Sequence, residues 1–167
     1  QQCVIVENVA PTAGPSTQKC FTVQGPISVT ISPTTATVRG GTTRTFTASV
    51  RNTSNKAVDW LVNGVVGGSA STGTITPDGI YTGPLNIAAV NGSVKVSVRS
   101  RQATTAIAES TVTLQNPVPT ISSITPATIA LGTTNFLLNG NGFAPGAVVR
   151  LGGVQMNANV LSLNQIA

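Results

Sequence analysis

Between residues 27 and 115, apolar and polar side chains alternate along the chain with a period of two. In the run 93–99, valines occupy every second position, and serine, lysine and arginine stand between them. One apolar face and one polar face per strand is the pattern of antiparallel sheets that cover a core. The chain is therefore predicted to be all-β. Turn signals separate the runs: Gly40-Gly41, Asn63-Gly64, Gly67-Gly68, Pro77-Asp78-Gly79 and Asn91-Gly92.

The spacing of these strands predicts a seven-stranded immunoglobulin-like β-sandwich over residues 27–115. Trp60 shares its strand face with the flanking valines, and Phe46 alternates with threonines. Both aromatic residues are therefore predicted core anchors. An exposed Trp60 beside Tyr81 would instead favour a platform for a sugar ring, and the sequence leaves this alternative open.

Residues 1–26 contain two short apolar runs on either side of a turn-rich stretch. This pattern predicts a hairpin with a long loop, which the pair Gly25-Pro26 closes. The apolar side chains of the hairpin have no evident partner in the segment itself, so its strands are candidate subunit contacts. These side chains are Val4, Ile5, Val6, Phe21 and Val23.

Cys3 and Cys20 stand beside the two apolar runs, and their spacing fits no zinc-binding or redox motif. We expect one disulfide that staples the hairpin near its open end, worth about 3 kcal/mol by the chain-entropy estimate. The sequence leaves open a bond to a cysteine of another copy. It also leaves open two free thiols in a cytosolic protein.

A second proline-containing linker, at 115–119, precedes a different module in residues 119–167. Its glycines permit tight corners, and Phe143 is a predicted core anchor at the end of a sandwich. No helix pattern follows these glycines, which argues against a phosphate-binding loop. The module is shorter than most sandwiches, so we expect it to be incomplete. Either the chain continues past Ala167, or another copy supplies the missing strands.

Two stretches resemble known families. The stretch 73–84, Gly-Thr-Ile-Thr-Pro-Asp-Gly-Ile-Tyr-Thr-Gly-Pro, is similar to an element of bacterial immunoglobulin-like (BIG-type) surface domains. The stretch 140–146, Gly-Asn-Gly-Phe-Ala-Pro-Gly, followed by a strand that ends in Gly-Gly, resembles the IPT/TIG fold. Beside the hairpin predicted in 1–26, the resemblance implies a bacterial Ig-like domain in 27–115 and an incomplete IPT/TIG-like domain in 119–167. No cysteine pair joins the two sheets of the first domain, so packing alone would hold them together.

The composition of the chain excludes most catalytic and metal-binding sites. Only 8% of the 167 residues are charged and there is no histidine, so Ser-His-Asp and Cys-His nucleophiles and histidine-ligated metals are ruled out. The four acidic residues are scattered, which disfavours a glycosidase pair or a calcium cage. We expect no enzymatic activity, no cofactor and no metal. The acidic residues are Glu7, Asp59, Asp78 and Glu109.

The formal charge of +5 comes from nine thinly spread basic residues. A nucleic-acid surface needs clustered cations with stacking aromatics, so we expect no nucleic-acid binding. No run of 18 apolar residues is present, and we expect no membrane insertion. A start at Gln1 fits a mature exported form whose signal peptide has been removed.

These features together predict an extracellular, non-enzymatic structural or adhesive protein on a bacterial cell surface. In the sharpest form of this prediction, copies join head to tail into a filament or stalk. The hairpin of one copy completes the open sandwich of the next by β-strand complementation. The sequence identifies no host or matrix ligand. Two alternatives stay open: an accessory, carbohydrate-binding module of a larger secreted enzyme, and a phage or virion decoration domain.

Overall fold

The computed structural model describes residues 1–6, 14–87, 92–128 and 135–167. Every regular element in these ranges is a β-strand. This confirms the predicted all-β class, with tandem immunoglobulin-like sandwiches and an N-terminal hairpin held by a disulfide. The domain boundaries at residue 26 and at 115–119 stay predictions. The segment 7–13 of the predicted hairpin loop and Asn91 of a predicted turn lie outside the described residues.

The N-terminal hairpin consists of β1 (Gln2–Val4) and β2 (Lys19–Phe21), paired antiparallel. Cys3 stands directly opposite Cys20, and the two form the predicted intramolecular disulfide. The strands are shorter than the apolar runs suggested, because the ladder ends at the pair of Val4 with Lys19. Beyond it, the Val6 N–H donates to Ser16 Oγ and the Ser16 N–H donates to Val6 O.

The first sandwich spans residues 28–115, and its strands meet at the predicted turns at 40–41, 63–64 and 77–79. Its strands are β3 (Ser28–Ser32), β4 (Thr35–Arg39), β5 (Thr43–Thr45), β6 (Thr47–Arg51), β7 (Val58–Val62), β8 (Val65–Val66), β9 (Gly68–Ser69), β10 (Gly73–Ile75), β11 (Ile80–Thr82), β12 (Ser93–Ser100) and β13 (Ile107–Gln115).

Two layers make up this sandwich. One is the five-stranded sheet β4-β13-β12-β7-β8, in which β4 runs parallel to β13. The other contains the sheet β5-β11-β10-β9 and the pair β3-β6, which meet because only Phe46 separates β5 from β6. Pro33 and Thr34 separate β3 from β4, and these two strands pair in opposite layers. This strand order is that of an immunoglobulin-like sandwich.

The core lies between the two layers and is filled by the inward positions of the period-two pattern. The structure places Phe46 and Trp60 there, at 1% and 6% exposure. The buried core residues are Ile31, Val38, Phe46, Trp60, Val62, Ile75, Tyr81, Val94, Val96, Val98, Val112 and Leu114.

The second unit has a much smaller core, in which Leu138, Phe143 and Ile166 are buried. Its four-stranded sheet has the order β14-β15-β19-β18, and β16 and β17 form a separate two-stranded ribbon. The strands are β14 (Thr120–Thr125), β15 (Leu137–Asn141), β16 (Val149–Leu151), β17 (Val154–Met156), β18 (Val160–Ser162) and β19 (Gln165–Ile166). A strand, and no helix, follows the glycine-rich corner at 140–146.

Candidate functional site

Five charged side chains of the first sandwich form ion pairs. Asp59 accepts hydrogen bonds from Arg101 at 2.7 Å and from Arg99 at 3.3 Å. The Arg101 hydrogen bond, assisted by Arg99, lowers the pKa of Asp59 below its usual value, although desolvation acts in the opposite direction. Lys95 and Glu109 form an exposed pair at 2.8 Å. In the described part of the chain, no three His, Cys, Asp or Glu residues come together in a way that could hold a metal.

The aromatic side chains do not form a sugar-binding platform. Trp60, Tyr81 and Phe46 are buried in the first core, and Phe143 is buried in the second. Phe136 packs against the second core. Phe21 is the one aromatic side chain that is mostly exposed, at 53%. An exposed Trp60 was the condition for the carbohydrate-binding alternative, and the burial of Trp60 disfavours it.

The N-terminal hairpin exposes its apolar side chains. Every described residue of 1–26 is exposed. Because Cys3 and Cys20 pair directly, their neighbours Val4 and Phe21 project from the face opposite the disulfide. Val4 is 51% exposed, close to the value for Phe21. We call this side the ribbon face; its residues are Gln2, Val4, Lys19 and Phe21.

The other candidate subunit-contact residues lie beside this ladder. Ile5 and Val6 follow β1, Val23 follows β2, and all three are exposed. They extend the apolar surface of the hairpin beyond its paired strands. Their role in subunit contact stays a prediction, and the sequence did not indicate which face the ladder presents.

A second exposed apolar surface lies on β14, at one edge of the sheet of the second unit. All six residues of β14 are exposed. Ile121 and Ile124 are 60% and 44% exposed. We call this surface the β14 face. Sequence reasoning predicted an open sandwich somewhere in 119–167 but did not single out these two residues.

The two surfaces lie at opposite ends of the first sandwich. Ser28, which begins β3, pairs with Arg51 at one end. Asn52 Nδ2 at that end donates to Pro26 O, at 2.8 Å. Gln115 pairs with Arg39 at the other end, and Thr42 N donates to Arg39 O there. The hairpin therefore enters at one end, and the second unit follows from the other.

Among the described residues, no helix has the length and hydropathy needed to cross a membrane. The sequence matches no protein-family profile and no curated protein. Among solved structures, the four N-terminal Ig domains of Dscam1 isoform 7.44 align with 68% of this chain at 23% identity, with a TM-score of 0.38. The eight N-terminal Ig domains of Down Syndrome Cell Adhesion Molecule isoform 1.30.30 align with 98% at 18% identity, with a TM-score of 0.38. The chain spans about a quarter of the length of each of these structures.

Proposed function

We propose that this chain is a non-enzymatic, extracellular structural or adhesive subunit of a bacterial surface filament or stalk. Copies join head to tail, and the N-terminal hairpin of one copy complements the second unit of the next. In this proposal residues 27–115 are a BIG-type domain and residues 119–167 an IPT/TIG-type domain.

The observation that carries the proposal is the presence of two uncovered apolar surfaces at opposite ends of one sandwich. The run from Thr43 to Arg51 separates the two ends by about 27 Å at the rise of a β-strand. Pro26 is tied to Asn52, which leaves residues 22–25 as the free linker of the hairpin. Four extended residues reach about 14 Å. The linker alone covers about half of that distance, whereas the hairpin of a second copy is under no such restraint.

A contact between two different surfaces of identical subunits does not close on itself unless a rotation brings it back. Repetition of such a contact gives a fibre, which suits a spacer or stalk. The disulfide between Cys3 and Cys20 supports an extracellular place of action, since disulfides persist in oxidising compartments.

The test is the association state of the full chain and of a variant that lacks residues 1–24. Negative-stain imaging and sedimentation velocity report on filaments. Fluorescence of Trp60, the single tryptophan and a core residue of the first sandwich, checks that the variant is folded. We expect filaments from the full chain and monomers from the variant. Monodisperse monomers in both samples would contradict the proposal.

A further inference from the structure

The four-stranded sheet of the second unit has one face on which a row of apolar side chains crosses all its strands. Ile124 pairs with Leu138, Leu138 with Ile166, and Ile166 with Val160. Directly paired residues of neighbouring strands project from the same face of a sheet. Leu138 and Ile166 are buried and Val160 is partly buried, whereas Ile124 is 44% exposed. The row is therefore covered at three strands and open at β14.

A β-bulge enlarges this opening. In a regular strand, Ile121 and Ile124 would project from opposite faces, because they are three residues apart. The register of β14 shifts between Ile121 and Ser123, so that Ile121 pairs with Gly140. Gly140 and Leu138 are two residues apart on β15 and share a face. Both isoleucines therefore project on the side of the buried core and remain exposed there.

Among the described residues, the open part of this face lies over β14. Phe143 is buried in the core, and Ala147, Val149 and Val160 pack against it. A Cβ built on Gly140 would lie 2.5 Å from the Phe143 ring, so this ring covers the sheet beside Ile121. Beyond it, β14 carries two exposed isoleucines, and in the sheet order it has a hydrogen-bonded neighbour on one side only.

We propose that the β14 face is the acceptor site, and that its occupant is the N-terminal hairpin of a second copy of this chain. This rests on the proposed function and specifies its contact. The ribbon face of the hairpin continues the core side of this sheet and sets Val4 and Phe21 beside Ile121 and Ile124. The hairpin backbone also pairs with the free edge of β14, as in strand addition to an open sheet.

Size and position favour this occupant. The segment from Gln2 to Val6 is close in length to the six residues of β14. The hairpin has no buried side chain among its described residues, and its linker alone spans about half the length of the first sandwich. A second copy can bring its hairpin to this face without the restraint of that linker.

Charge points to the same occupant. Arg150 is the sole charged residue in 119–167, and the ribbon face carries one charge, Lys19. The acceptor unit has no acidic group and a single cation. It therefore suits a partner that binds by apolar contact and backbone pairing, and not a polyanion or a strongly charged protein. Association through this contact should therefore depend weakly on ionic strength.

The experiment compares double variants of the full chain at equal concentration. Ile121→Asn with Ile124→Asn removes the apolar acceptor surface. Leu151→Asn with Val154→Asn is the matched control, since both residues are exposed apolar residues of the same unit on the ribbon β16–β17. Leu161→Asn tests β18, the opposite edge of the sheet. We expect the critical concentration for polymer to rise at least about tenfold in the first variant and to stay unchanged in the other two.

The outcomes are distinguishable. Polymer that survives Ile121→Asn with Ile124→Asn, but disappears on deletion of residues 1–24, overturns the acceptor assignment and leaves the proposed function standing. Loss of polymer in the Leu161→Asn variant alone would move the acceptor to β18. Absence of polymer in every sample, the full chain included, overturns the proposed function itself.

Thermal unfolding of the monomers checks that the substituted variants are folded. The isoleucine variant should unfold at the same temperature as the control variant, because its substituted residues are exposed. A lower unfolding temperature, approaching that of a Leu138→Asn variant, would mean that the chain itself covers Ile121 and Ile124, and would overturn the proposal.

Discussion

At the scale of single residues, Gly79 shows what holds the 73–84 stretch in its shape. Gly79 has a φ of +78°, and a Cβ built on it would lie 2.8 Å from the Trp60 ring and would also collide with Phe46 O. A glycine is needed here both for the turn and for the close approach of backbone to ring. The adjoining strand β11 places Tyr81 in the core, where its hydroxyl donates to Thr72 O at 2.8 Å.

Two buried serines should respond in opposite directions to loss of the hydroxyl. Ser100 Oγ accepts hydrogen bonds from the N–H groups of Gln102 and Ala103, whereas Ser110 Oγ has no hydrogen-bond partner among the described residues. We expect Ser100→Ala to lower the free energy of unfolding by about 1–2 kcal/mol. Ser110→Ala should leave it unchanged or raise it by up to about 1 kcal/mol. Denaturant unfolding followed by Trp60 fluorescence measures both. Equal losses in the two variants would contradict the assignment.

Tyr81 should make the first sandwich sensitive to alkaline pH. Burial raises the pKa of Tyr81 to about 12, above its usual value of 10.0. Between these two values the phenol loses its proton in the unfolded chain and keeps it in the folded one. The contribution of the protonated Tyr81 phenol to the free energy of unfolding is therefore fully present below pH 10. It is lost as the pH rises toward 12, which lowers the free energy of unfolding by about 2 kcal/mol.

Tyr81→Phe is the control for this pH dependence. At neutral pH it should be less stable by about 1 kcal/mol, because the hydrogen bond to Thr72 O is lost. The stability difference between the wild type and the variant should then shrink or reverse as the pH approaches 12. The free energy of unfolding of both proteins, measured at several pH values up to 12, gives this difference. A constant difference across this range would show that Tyr81 does not titrate as described.

The period-two pattern predicts most inward positions of the first sandwich, because each strand there has one face on the core. It does not predict Leu61. Leu61 alternates to the face opposite Trp60 and is nevertheless 6% exposed, in register with Ser97 of β12 and Val66 of β8. The burial of a residue on the outer face depends on which strands lie beside its own, and the sequence of a single strand does not specify those neighbours.

At the scale of elements, the N-terminal hairpin is a three-pair ladder without a core. A two-stranded hairpin of this kind is at best marginally stable in water. The disulfide between Cys3 and Cys20 lies in the middle pair of the ladder. It reduces the number of unfolded conformations open to the segment that it closes. It therefore keeps an exposed ribbon in the shape needed for docking.

Removal of the disulfide should weaken association without affecting the sandwich. In the variant Cys3→Ser with Cys20→Ser, we expect less pelletable polymer than in the wild type at the same concentration. The unfolding of the first sandwich, followed by Trp60 fluorescence, should stay within about 0.5 kcal/mol of the wild type, because the hairpin residues are exposed. A large loss of sandwich stability, or unchanged polymer, would contradict this role.

The sequence does not predict how the strands pair or in which register. Two cysteines beside two apolar runs indicate a staple, but the register of Cys3 opposite Cys20 depends on the ladder that forms. In the second unit, the spacing of Ile121 and Ile124 by three residues indicates opposite faces in a regular strand. The bulge that brings them to one face depends on pairing with β15, which local sequence does not specify.

At the scale of the whole molecule, the first sandwich is a spacer between a hairpin and an acceptor. The joint after β13 is tightly packed: a Cβ on Gly40 would lie 3.0 Å from the Pro117 ring, and a Cβ on Gly142 would lie 3.1 Å from Pro117 Cβ. Arg39 Nη1 also donates to Asn116 O at 3.3 Å. Pro117 therefore sits between the two units, which favours a short and stiff connection, as a stalk requires.

The most direct test of head-to-tail complementation is to mix two variants that have lost opposite surfaces. A chain without residues 1–24 keeps only the acceptor, and the variant Ile121→Asn with Ile124→Asn keeps only the hairpin. Each should be monomeric alone, and an equimolar mixture should give a one-to-one dimer in sedimentation velocity without longer species. Monomers in the mixture, or polymer from either variant alone, would contradict the account.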